Sequence, residues 1–107
     1  MNVRLASLSD LTPGAGTCIE VLGHRIALFR IDDDVYAIGD RCSHAEASLS
    51  EGEVFDLTVE CPRHGSEFDL TTGEPRSFPA TRPVPTYEIT VVGGEVFADV
   101  EPIEEQA

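Results

Sequence analysis

The chain is expected to be all-β: antiparallel strands forming a sandwich or barrel base, with a small subdomain inserted at about residues 41–82. Three observations point there. Apolar residues alternate with polar ones in several short runs, turn residues punctuate those runs, and no stretch carries the roughly 3.6-residue apolar period of an amphipathic helix. Only Ser9-Asp10-Leu11 and residues 45–50 suit even a single helical turn, and no internal repeat is visible.

Taken in order, residues 3–6 read as a short strand that Asp10-Leu11-Thr12-Pro13-Gly14 turns back. Residues 17–22 and 25–31 form a hairpin across Gly23-His24, which leaves His24 solvated at the turn with no ligand role. Asp32-Asp33-Asp34 is a tight acidic turn without the alternating spacing of a calcium loop, and 35–38 is the next strand. From 41 to 82 the composition shifts to polar and glycine-rich loops, with short strands near 53–55, 57–61 and 67–70 and a turn at Thr71-Thr72-Gly73-Glu74. In residues 87–92, Tyr87, Ile89 and Val91 alternate with Glu88 and Thr90, and Gly93-Gly94 joins this strand to 95–100 in a hairpin that closes the base sheet. Residues 101–107 read as a frayed acidic tail.

At 107 residues, 41% of them apolar, the chain has enough for one domain with a small core. Its net charge is −13, with 20 acidic against 7 basic side chains. Such a field repels nucleic acid and anionic membranes and steers the protein toward positively charged partner surfaces. No apolar run approaches the roughly 20 residues that cross a bilayer, and the first ten residues lack the features of a signal peptide, so a cytoplasmic location is expected. Three cysteines suit a reducing compartment, and Cys18, in a Val/Ile-rich segment, reads as a small buried hydrophobe.

The functional signal lies in two short loops. Cys42-Ser43-His44 and Cys61-Pro62-Arg63-His64 contain two of the three cysteines and two of the three histidines. Two thiolates and two imidazoles arriving as mixed pairs from separate loops suit one small metal centre, either zinc or an iron-sulfur cluster. Zinc sites with two Cys and two His usually keep like ligands together, often with a helix bearing the histidines; here each loop offers one of each, with no helical period.

Cys42-Ser43-His44 with Cys61-Pro62-Arg63-His64-Gly65-Ser66 resembles the two cluster-binding loops of Rieske 2Fe-2S proteins, and the whole chain resembles their small soluble ferredoxins. The resemblance implies one 2Fe-2S cluster, with Cys42 and Cys61 on one iron and His44 and His64 on the other. It also implies a third loop, Ser77-Phe78-Pro79-Ala80, covering the cluster, with Pro79 stiffening it. Two ferric ions, two sulfides and two thiolates sum to zero charge, so reduction is easier than with four thiolates; potentials of roughly −150 to +300 mV result, against about −400 mV for plant-type clusters. High-potential members carry a loop disulfide where this chain has Ala47 and Arg63, and a tyrosine where it has Phe68. Ser66 matches a serine whose hydroxyl bonds a bridging sulfide in those members. Fewer hydrogen bonds to sulfur place the potential toward the low end of the range, with Ser66 pulling it upward. The family's outward-facing imidazoles imply a potential that falls as pH rises.

With every iron position filled by protein, no open site remains for substrate or oxygen, so no catalytic residue is expected and the protein is not an enzyme. The resemblance implies a monomeric one-electron carrier between a flavin-dependent NAD(P)H ferredoxin reductase and a terminal Rieske non-haem iron oxygenase. Two other readings remain: a permanently bound small redox subunit of the nitrite-reductase type, and a zinc-stabilised interaction module.

Overall fold

The apolar run Ile26-Ala27-Leu28-Phe29 sets the architecture, because all four side chains are completely buried although successive residues of a strand face opposite ways. A strand buried on both faces must lie between two layers. The structure, a computed structural model, describes residues 1–42, 47–63, 65–76 and 82–102, and in it this run belongs to β3 (His24–Ile31). The preceding strands are β1 (Asn2–Ser7) and β2 (Gly16–Val21); β4 (Asp34–Gly39), β5 (Val54–Phe55), β6 (Thr58–Glu60) and β7 (Glu67–Asp69) follow, then β8 (Thr86–Tyr87), β9 (Ile89–Val92) and β10 (Glu95–Asp99). Single 3-10 turns at Leu8–Asp10 and Leu49–Glu51 are the helical elements among the described residues.

These strands form three sheets, ordered β1-β10-β9, β2-β3-β4-β8 and β5-β6-β7, and every pairing between them is antiparallel. The all-β antiparallel expectation is met. One face of β3 and β4, through Ile26, Leu28, Val35 and Ala37, packs with Ala6, Val96, Ala98 and Val100 of the β1-β10-β9 side. The opposite face, through Ala27, Phe29 and Ile38, packs with Val59, Phe68 and Leu70 around β6 and β7, together with Cys42 and Cys61. Two cores therefore share one wall.

Turn chemistry fixes the registers. Leu22 and Gly23 both have positive φ (50° and 86°), as do Gly93 and Gly94 (58° and 78°), giving the mirror-image two-residue turns that suit twisted hairpins. The first hairpin thus turns one residue earlier than expected, and His24 begins β3 opposite Val21. His24 is not a solvated turn residue. Its Nε2 lies 2.6 Å from the Glu101 carbonyl oxygen, which can only accept, so Nε2 donates there, and its Nδ1 lies 3.0 Å from the Tyr87 hydroxyl.

Three further expectations need correction. Cys18 is exposed, because β2 is an edge strand whose Ile19 and Val21 face the core while Cys18 and Glu20 face outward. The single strand expected over 87–92 is two: β8 pairs with β4, β9 pairs with β10, and the break falls at Glu88. Glu101 is not frayed, since its carboxylate accepts from the terminal amine at 2.6 Å and the neighbouring Val100 N–H donates to the Met1 carbonyl at 2.9 Å. Residues 103–107 lie outside the described residues.

Candidate metal centre

Both predicted loops rise from short antiparallel stems. In the first, Arg41 bridges Ser48 and the Cys42 N–H donates to the Ala47 carbonyl at 3.0 Å. In the second, Glu60 pairs with Glu67 and the Cys61 N–H donates to the Ser66 carbonyl at 2.7 Å. Each cysteine N–H thus reaches a carbonyl five residues on. His44 and His64 lie outside the described residues, as does Pro79 of the expected third loop.

The two thiols do come together in one place. Cys42 is 4% exposed, Cys61 is fully buried, neither forms a disulfide, and both belong to the apolar cluster that contains Leu49, Val59 and Phe68. Two thiols outside any disulfide, sealed from water beneath two loop stems, fit thiolate ligation of a soft metal centre. Ser66 and Phe68 are completely buried directly after the second loop, and Phe68 packs in the same cluster as the two cysteines. Phe68 offers no hydroxyl there.

The second loop needs Gly65, whose φ of +76° lies in the left-handed region and whose N–H donates to the Cys61 carbonyl at 3.0 Å. The ends of the third predicted loop are also tethered. The Arg76 N–H donates to the Glu67 carbonyl at 2.6 Å, and after the loop the Val84 N–H donates to the Gly73 carbonyl at 2.8 Å. A Cβ on Gly73 would lie 2.2 Å from the Val84 carbonyl oxygen, so only glycine allows that approach.

Asp40 escaped the sequence reading. It is completely buried two residues before Cys42 and holds both ends of the first loop. Its Oδ1 accepts from the Ser50 N–H at 2.9 Å and its Oδ2 from Arg25 Nη2 at 3.2 Å, while its backbone carbonyl accepts from the Leu49 N–H at 2.6 Å. Burial alone pushes this carboxyl up, but hydrogen bonds from Ser50, Ser48 and Cys18 outweigh it and hold the group below its ordinary value. Asp69 does a related job at the exit of β7. Its Oδ1 accepts from the Thr71 hydroxyl and N–H and its Oδ2 from Arg76 Nη1 at 2.9 Å, which lowers its pKa, the Thr71 hydroxyl contributing most.

Residues 1–88 match the Rieske [2Fe-2S] domain family. The chain belongs to that family. Its cofactor is one 2Fe-2S cluster. Over 76 residues this Rieske chain is 51% identical to the 3-phenylpropionate/cinnamic acid dioxygenase ferredoxin subunit of Escherichia coli K12, covering 70% of this chain and 72% of that one. It superposes on the ferredoxin of carbazole 1,9a-dioxygenase from Nocardioides aromaticivorans IC177 with a TM-score of 0.91 and 40% identity, over 94% of this chain and 99% of that one. A complex of reduced oxygenase and oxidised ferredoxin in carbazole 1,9a-dioxygenase matches with a TM-score of 0.87 and 37% identity, over 97% of each chain. Among the described residues, no helix of this Rieske protein is long and apolar enough to cross a membrane.

Proposed function

We propose that this Rieske protein is a one-electron carrier of an oxygenase system, taking electrons from a flavin-dependent NAD(P)H ferredoxin reductase and delivering them to a terminal non-haem iron oxygenase. The observation that carries this reading is the likeness to a dioxygenase ferredoxin over nearly the full length of both chains. In the carbazole system a ferredoxin of the same fold is seen in complex with its oxygenase, which supports the acceptor half of the reading.

When bound, a 2Fe-2S cluster supplies one-electron redox chemistry. Cys42 and Cys61 would hold one iron and His44 and His64 the other, within a subdomain of about residues 41–82 set into a single-domain base. The water-excluded cluster that Cys42 and Cys61 share with Phe68 and Leu49 would shield the group from solvent. The buried Ser66 would supply a hydroxyl beside it, and Pro79 would stiffen the covering loop. The protein works as a cytoplasmic monomer and catalyses no reaction of its own.

Absorption and low-temperature EPR spectra before and after dithionite, with iron, zinc and sulfide assayed on the same sample, test the reading. The expected result is a red-brown protein with two irons and two sulfides per chain, consistent with its cofactor. A colourless, EPR-silent protein holding one zinc would overturn it. Purification in a fixed ratio with a large enzyme would instead favour a permanently bound subunit.

A further inference from the structure

All seven basic residues of this chain are arginines, and their placement is uneven. Arg4 pairs with Glu95 at 2.7 Å, Arg25 with Asp40 at 3.2 Å, Arg30 with Asp33 at 3.4 Å and Arg76 with Asp69 at 2.9 Å. Arg41 and Arg82 are engaged as well. Arg63 differs: it is exposed, it makes no ion pair among the described residues, and it stands in sequence between Cys61 and His64 in the second loop. The loop turns sharply there, with Pro62 exposed beside it and the Gly65 N–H closing back to the Cys61 carbonyl. In a molecule of net charge −13, such a guanidinium in a ligand loop is a local reversal of sign.

We propose that Arg63 is the anion-recognising contact of the electron-transfer face, its guanidinium taking a carboxylate on the protein that docks over the ligand loops. This rests on the carrier reading above. Overall acidity attracts partners over long range, but that attraction is blind to which end of the molecule arrives first. One fixed cation beside the ligands gives the short-range pairing that sets register, and a planar guanidinium suits a carboxylate in two-point contact. No carboxylate among the described residues is paired with it. This cation also predicts an acidic spot within an otherwise basic docking surface on the partner.

Charged small oxidants read this sign directly. The full-length, cluster-loaded protein is reduced with dithionite, freed of excess reductant, and mixed at low salt with ferricyanide or with hexaammineruthenium(III). In each case one electron leaves the protein and reduces the oxidant's metal from the trivalent to the divalent state, with no proton or ligand transferred. Arg63→Gln is expected to slow oxidation by the anion roughly three- to fivefold and to speed oxidation by the cation by a similar factor, as loss of one screened charge within several ångströms of a trivalent ion requires. Arg63→Lys is expected to retain most of the wild-type preference. Arg4→Gln removes the same net charge from β1, on the far side of the shared wall, and is expected to leave both rates nearly unchanged.

A changed driving force would move both oxidants in the same direction. That result, no change in either rate, or equal effects of Arg63→Gln and Arg4→Gln would each overturn the assignment. Wild-type protein that takes up no electron from dithionite would overturn the carrier reading itself, and the docking role with it.

Discussion

The two ligand loops close alike and are supported differently. The second is a continuation of β6 and β7, so its stem is backbone ladder from Thr58↔Asp69 up to the Cys61–Ser66 hydrogen bond. The first leaves the end of β4 and returns through the 3-10 turn at Leu49–Glu51, with no strand on the return side among the described residues; its ends are joined by the Arg41–Ser48 bridge, by two backbone hydrogen bonds and by the buried carboxylate of Asp40. One loop is held by a repeating structure in which each hydrogen bond has a neighbour. The other has a short bridge reinforced by one buried side chain, that of Asp40.

Breaking that side chain should therefore have the largest effect. Asp40→Ala leaves the Ser50 N–H and the Arg25 guanidinium without their acceptor and is expected to destabilise the protein by about 2–3 kcal/mol. It should also lower the iron content per chain, measured by metal assay beside urea denaturation. Full iron occupancy and wild-type stability in this variant would show that the first stem does not depend on Asp40.

The matching perturbation of the second loop is Gly65→Ala. The added methyl meets nothing within 4 Å, so only the left-handed backbone opposes it, at a cost of roughly 1 kcal/mol. Denaturation of this variant should show the smaller loss and iron should stay bound. A loss exceeding that of Asp40→Ala would reverse the ranking of the two loops.

The smallest effect is expected at Asp69. Its carboxyl is held below its ordinary value in the folded state, so the stability it contributes is present above the ordinary carboxylate range and is lost as pH falls through the lowered folded value. Asp69→Asn should thus cost less than about 1 kcal/mol near neutrality, because Arg76 is mostly exposed and screened, and should flatten the acid limb of a pH–stability curve. An unchanged acid limb would locate the acid sensitivity in other carboxylates, Asp40 first.

The sequence carried the strands far better than it carried these supports. Period-two alternation found most strands because a half-buried strand must alternate. It misplaced Cys18 because alternation does not say which strand lies at a sheet edge, and β2 does. It ran β8 and β9 together because the alternation from Tyr87 to Val91 continues unbroken through Glu88, while partner choice changes there. Residues 25–31 read in the sequence as one arm of a hairpin, and the burial of Ile26-Ala27-Leu28-Phe29 on both faces comes from the two layers that pack against it. Asp40 gave no comparable sign: an aspartate after a strand usually reads as a turn residue, and its burial follows from contacts with Arg25, Ser48 and Ser50 that are distant in sequence. Burial of both Cys42 and Cys61 is what the proposed thiolate ligation would require.

The shared wall has a consequence for how the molecule comes apart. Ile26 and Leu28 belong to one core and Ala27 and Phe29 to the other, so β3 cannot detach from either without exposing apolar surface in both. A slip of one residue would exchange the two sets and spoil both packings. Melting of the region that bears the ligands and melting of the region far from them thus become a single cooperative event. Bleaching of the bound chromophore becomes a gauge of the whole fold, and a minimal redox peptide cannot be cut from one end of it.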